Sequence, residues 1–313
     1  MGAINLDNTG SGGAITLSSD GTSLLLGGTA VGGGGADLYA ANESSPAAQP
    51  SATGTNAIAI GDTAVSSGTD SFAIGKNTDA TGTASLAVGQ GAQATANYNL
   101  AIGLNANASA ERAIAIGNNG VVAGSTYSTA IGHNSGFGGS TTATGSGATA
   151  LGGSYASGAD SFAAAVVNNT SSYGATGNNS IAIGKNAKAT AIYNVAIGGI
   201  NAAATGSAYA LALGSSVTAS GNTSIALGVS NSATSTKTIA IGDNNSSSAS
   251  LATILGSNNV ASSSNSLVLG NSGKADIIGK IVFSNGFFSA GGDSQAGQYI
   301  LRADTTNATA TVL

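Results

Sequence analysis

Cysteine and tryptophan are absent from this 313-residue chain, which has one Met, one His and two Pro. Without thiols there are no disulfides and no thiolate metal sites, so folding rests on burial and backbone pairing alone. Charged residues make up 7% and aromatic residues 4%, whereas about a quarter of an ordinary soluble domain is charged. The five Lys and Arg between Gly54 and Gly270 stand singly, which leaves no basic stripe for phosphates and argues against a nucleic-acid partner. A catalytic or metal centre needs convergent His, Cys, Asp and Glu. With so few of these, the chain is expected to be no enzyme and to hold no metal or cofactor. No apolar run nears the roughly 18 residues that cross a bilayer, so no membrane insertion is expected. The start, MGAINLDNTGSGG, lacks the basic and apolar segments of a secretory signal.

What is plentiful is Gly, 49 residues, and one phrase, an Ala between two larger apolar residues followed by Gly. The closing glycines fall at Gly61, Gly75, Gly89, Gly103 and Gly117, each fourteen residues after the last. Steps of fifteen to Gly132 and twenty to Gly152 loosen the register, and in SFAAAV the Gly is replaced by Ala165. Gly184 and Gly198 restore the beat, and Gly214, Gly228, Gly242, Gly256 and Gly270 keep it. A fixed period of this kind is the signature of a solenoid, in which a unit buries its apolar face only by stacking on its neighbours.

Alternation with period two makes each phrase a short strand. Small residues seven places past each Gly mark a second, weaker strand, so one coil is two short strands and two tight turns. The predicted fold is an all-β, parallel β-roll solenoid of about fifteen 14-residue coils with small β modules at both ends. The large aliphatics flanking each Ala, such as Ile58 and Ile60 or Leu100 and Ile102, share one face and stack as a ladder. The alanines between them point the other way. A uniformly small face permits close approach, so Ala59, Ala73, Ala87, Ala101, Ala115, Ala182, Ala196, Ala212, Ala226 and Ala240 are the expected contacts between copies of the chain.

Residues 1–30 are expected to form a hairpin module around Asp20-Gly21, 31–53 a Gly/Pro-rich linker, 54–271 the repeats, and 272–313 a β cap or trimerisation segment that covers the open end. Tyr98 and Tyr193 are expected to cover corners of the roll. Tyr127, His133, Phe137, Tyr155 and Tyr173, in or beside the irregular coils, are the candidate receptor contacts. Asp62 and Lys76 occupy one column a coil apart and should pair.

NSIAIGKNAKATA from Asn179 and NTSIALGVSNSATS from Asn222 resemble the head repeat of the YadA-like trimeric autotransporter adhesins. The resemblance implies a left-handed roll, three chains about one axis, and adhesion to a surface. The last stretch, GDSQAGQYILRADTTNATATVL, resembles segments of tailed-phage structural proteins. Together they imply a homotrimeric attachment fibre of a virion, with other virion proteins and a host-surface glycan or protein as partners. The alternatives are a fragment of a bacterial cell-surface adhesin, or a monomeric ice- or surface-binding solenoid. Regular stacking is in doubt only between Gly132 and Gly184, where loops should bulge outward.

Overall fold

The computed structural model describes residues 4–6, 15–19, 24–26, 29–31, 49–133, 140–164 and 173–298. The chain divides into two units, Met1–Pro46 and Ala47–Leu313. In the first, Ile4–Leu6, Ile15–Ser19, Leu24–Leu26 and Thr29–Val31 form an antiparallel meander. Its central pairing, Ser19 opposite Leu24, is the hairpin expected around Asp20-Gly21.

The second unit is a parallel β-solenoid of about sixteen coils without a helix among the described residues. Two ladders run along it. One holds the sixteen two-residue strands from Ser51–Ala52 to Lys274–Ala275. The other holds the longer strands from Ile58–Ile60 to Ile281–Asn285, each parallel to the next and in register phrase on phrase. Stacked at about 4.8 Å per coil, sixteen coils reach about 70 Å. The irregular stretch does not break the stack: Ala130 pairs with Ala150 and Ala163 with Ala182, as regularly as Ala87 with Ala101. The extra residues of those coils, 134–139 and 165–172, lie outside the described residues, and with them Phe137 and Ala165.

The interior reverses the assignment of faces drawn from the sequence. Ala73, Ala87, Ala101, Ala115, Ala182, Ala196, Ala212, Ala226 and Ala240 are 0% exposed within a single chain, and Ala59 packs against the same core. They meet a second alanine column from the short strands, Ala80, Ala94, Ala108 and onward. The fully buried alanines therefore have no surface left for a neighbouring chain, and Ala59, in the first long strand, is only partly exposed. The roll is thin because each coil closes on itself in fourteen residues, and between two such close sheets a methyl group fills the space along most of its length; in the last coils Ile254, Val268 and Val282 take the same buried column. The large aliphatics flanking each Ala point outward, and none is buried.

The phrase Gly answers a second constraint of the thin roll. At Gly242 and Gly256 φ is 124° and 131°, a region L residues rarely adopt. A Cβ on either would collide with the carbonyl oxygen of the Gly one coil on, Gly256 and Gly270 respectively. The last rung confirms the cause: Ser284 stands in the Gly position opposite Gly270, where no further coil follows it.

The corners close the coils. Before several long strands a buried hydroxyl bonds back three residues, as Ser71 to Gly68, Ser85 to Gly82 and Ser224 to Gly221, each 2.7 Å. In the last third of the solenoid the opposite corner is filled by stacked asparagines. Asn245 Nδ2 donates to Asn231 Oδ1 at 2.9 Å and to the Gly256 carbonyl at 2.7 Å. Asn259 repeats the pattern on Asn245 and Gly270, and its Oδ1 accepts from Gly273.

Both ladders are closed at the carboxyl end. Gln295–Gln298 pairs antiparallel with Ile281–Asn285. The Gln295 side-chain amide bonds the Lys274 N–H at 2.7 Å and its C=O at 3.0 Å, doing for the short ladder what a further strand would do. The coil built on Lys274–Ala275 and Ile281–Asn285 extends the repeats into the segment expected to be a separate cap.

Candidate functional site

Among the described residues no group of three or more His, Cys, Asp or Glu could hold a metal ion, and no helix is long and apolar enough to cross a membrane. What the solenoid offers instead are long surfaces.

The first is the outer side of the long ladder. Two aliphatic columns run along it, Ile58, Phe72, Leu86, Leu100 and Ile114 in one and Ile60, Ile74, Val88, Ile102 and Ile116 in the other. They continue to Ile281 and Phe283, interrupted in the middle by Thr129, Thr149 and Ala164 and later by Thr253. Phe72, Ile74, Ile131, Leu213, Leu255 and Phe283 are each more than a third exposed. At its carboxyl end this side adjoins exposed Ile277, Ile278, Phe287 and Phe288. The turn that presents both phenylalanines is pinned by Asp293, which accepts from the N–H groups of Ala290, Ser289 and Phe288. Those bonds, that of Ala290 foremost, hold its carboxyl below the ordinary aspartate range.

The second is a polar column beside the short ladder. The residue after each short strand is Ser or Thr in nearly every coil, as at Thr81, Thr95, Thr234, Ser248 and Ser262. Several of these hydroxyls bond the backbone of the next coil: Thr81 to Thr95, Thr234 to Ser247 and Ser262 to Ala275, each 3.3 Å. Nearby, burial without a charged partner raises the carboxyl pKa of Asp79, whose Oδ1 has no hydrogen-bond partner.

The third is the corner that leads from each short strand into the next long one. One residue per coil there has φ near +55°, a conformation that suits Asn, Asp and Gly and costs other residues roughly 1–2 kcal/mol. Asn56, Asp70 and Asn179 follow the preference, yet Tyr98, Tyr127, Tyr193 and Tyr209 stand in the same column. Their rings stack across coils. The Arg112 guanidinium lies between the rings of Tyr98 and Tyr127, 5.0 and 5.4 Å from their centroids. It also donates to Glu111 at 2.6 Å and to the Tyr127 hydroxyl at 3.1 Å. Tyr193 and Tyr209 stack directly at 5.0 Å with 17° between planes. Behind Tyr98 and Tyr193, buried Asn99 and Asn194 tie their corners to the backbone of the next coil.

The candidate receptor contacts are not gathered into one site. Tyr127 is exposed on this corner, and His133 is exposed at the end of a long strand, opposite Asn118. Tyr155 and Tyr173 are half-buried on and beside the short ladder, and Phe137 lies outside the described residues. The Tyr98, Arg112 and Tyr127 stack was missed as a unit, although each of the three lies five residues before a phrase Gly. Asp62 and Lys76 do pair, at 3.3 Å, on the opposite corner, where the lysine is exposed and the carboxylate largely covered.

No curated protein matches the chain. Residues 52–78, 80–98, 100–119, 175–199 and 219–245 match the YadA head domain repeat, so the phrase seen in sequence and the coil seen in structure are similar to the unit of that repeat.

Proposed function

We propose that the protein is a non-enzymatic structural adhesin: three copies of the solenoid packed through their aliphatic columns into one fibre, whose remaining sides meet a target surface. The observation that carries this is the outward aliphatic side of the long ladder. Two long runs of apolar side chains on one side of a rod, before and after the interruption at Thr129 to Ala164, are more than monomers commonly leave in water. The match to the YadA head domain repeat supports the same conclusion, since it implies an adhesive, trimeric structural role. The assembly contacts move from the alanines to their neighbours, such as Ile74, Ile131, Leu213 and Leu255. Many weak contacts along a rigid, repeated surface add through avidity, so a fibre of this kind works without a deep pocket.

Native mass in solution tests it. The full chain is expected at three times 29.4 kDa, and Leu213→Asp with Ile241→Asp is expected to yield a soluble monomer. A monomeric wild-type chain overturns the proposal and moves weight to a single-chain surface-binding solenoid. In its narrower form the fibre belongs to a tailed-phage virion. The support for that is the sequence of the last twenty or so residues, of which 299–313 lie outside the described residues. Flanking genes for virion parts favour it, and flanking genes for a surface anchor favour a bacterial adhesin.

A further inference from the structure

Corner residues of seven consecutive coils read Asp70, Ala84, Tyr98, Arg112, Tyr127, Gly147, Asp160, a sequence of chemistry that is the same in both directions. At its centre Arg112 is held between two rings. The inner face of each ring is therefore occupied. The outer face of each looks over a residue with little or no side chain, Ala84 beyond Tyr98 and Gly147 beyond Tyr127. Past each small residue stands a carboxylate.

The two ends differ in how that carboxylate is used. Asp70 Oδ1 accepts from Asn56 Nδ2 at 2.9 Å, turned away from Ala84. Asp160 turns the other way with respect to the stack: its Oδ1 lies 2.2 Å from where a Cβ of Gly147 would be, and accepts no hydrogen bond from any described residue. At this end an exposed aromatic face forms a wall, and a free carboxylate lies beside its foot.

We propose that Tyr127 and Asp160 form a subsite for one hexopyranose unit of a surface glycan. The apolar C–H face of the sugar ring stacks on Tyr127, and hydroxyls at its edge donate to Asp160. Glu111 and the remaining Arg112 donors stand at the rim for a neighbouring residue of the chain. A flat sugar ring is the ligand that uses both parts of the site, its C–H face on the ring and its hydroxyls on the carboxylate; a small cation is the competing ligand, since aromatic faces attract cations and Glu111 already offsets the Arg112 charge at 2.6 Å. Gly147 belongs to the subsite, because the absence of a Cβ there lets the Asp160 carboxylate reach over it toward the ring.

This inference rests on the adhesive reading and supplies its ligand class. The test is saturation-transfer NMR on the full chain with methyl glycosides of glucose, galactose and mannose, and with tetramethylammonium as the cationic probe. At least one hexoside is expected to show transfer to its ring protons. Tyr127→Ala should reduce it at least fivefold, Asp160→Asn severalfold, and Tyr127→Phe little. Tyr193→Ala, in the other stack, serves as control, and circular dichroism checks the fold of each variant. Absence of transfer to all three hexosides, equal transfer in Tyr127→Ala, or preference for tetramethylammonium each overturns the subsite. Adhesion of the fibre to cells that survives in Tyr127→Ala with Asp160→Asn leaves the adhesive reading standing without it. Loss of the trimer mass in wild type is a separate failure, of that reading itself.

Discussion

Two stretches of the same corner solve one problem differently. Around Ala92, Ala106 and Val121 the interior position three residues past the phrase Gly, four in the fifteen-residue coil of Val121, is apolar, and each side chain fills its own coil. Around Asn231, Asn245 and Asn259 the same position is a buried amide bonded to the amide of the previous coil and to the backbone of the next. An apolar filler acts locally, and its loss is felt as a cavity. A buried amide ladder is favourable only while every member is satisfied, so it couples coils that otherwise meet through strand pairing alone. The carboxyl-terminal third should therefore open as a block and the earlier coils more independently.

The comparison is broken most severely at the backbone. Gly242→Ala places a Cβ against the Gly256 carbonyl at a strained φ, and is expected to cost about 3 kcal/mol or more, with loss of hydrogen-exchange protection through the whole amide ladder. Next comes the ladder itself. Asn245→Ala orphans the Gly256 carbonyl and the Asn259 N–H, for about 2–4 kcal/mol, with protection lost at Asn231 and Asn259 too. Val121→Ala should cost only about 1–2 kcal/mol and leave neighbouring coils protected. Equal spread of lost protection in the two variants would show that the amides do not couple coils.

The smallest effect is one of pH. Burial raises the folded-state pKa of Asp79 above its unfolded value, so the folded state binds the proton more tightly. The group's contribution favours folding at low pH and is lost as pH rises through the interval between the unfolded and the raised folded pKa. Asp79→Asn should therefore slightly raise stability at neutral pH and flatten its dependence across that interval, as read by denaturant midpoints at pH 3 to 7.

The period, the two strands per coil and the position of the corners were all legible, because Gly and strict alternation report local geometry directly. The faces were not. Alternation says that Ala73 and its flanking Phe72 and Ile74 lie on opposite sides, but not which side is inside. The usual preference for burying the larger apolar group gave the wrong answer, since the thickness of the roll is set by how tightly fourteen residues can close, a property of the whole coil. The tyrosine stack escaped for another reason. Tyr98, Arg112 and Tyr127 are far apart in sequence, and only alignment on the phrase Gly brings them into one column. Asn231, Asn245 and Asn259 look like solvated turn residues in sequence, and only the direction of the side chain at that corner makes them interior.

The glycine column has a consequence for length. Each phrase Gly is required by the coil that follows it, and Ser284 shows that the requirement ends where the stack ends. Removing or adding a whole interior coil in register within the regular stretches, such as Gly61 to Gly117 or Gly214 to Gly270, leaves the neighbouring glycines facing one another and the contacts at either end undisturbed. Such a molecule is a ruler graduated in fourteen-residue marks, whose reach can be reset by recombination between its own repeats while its two ends stay unchanged.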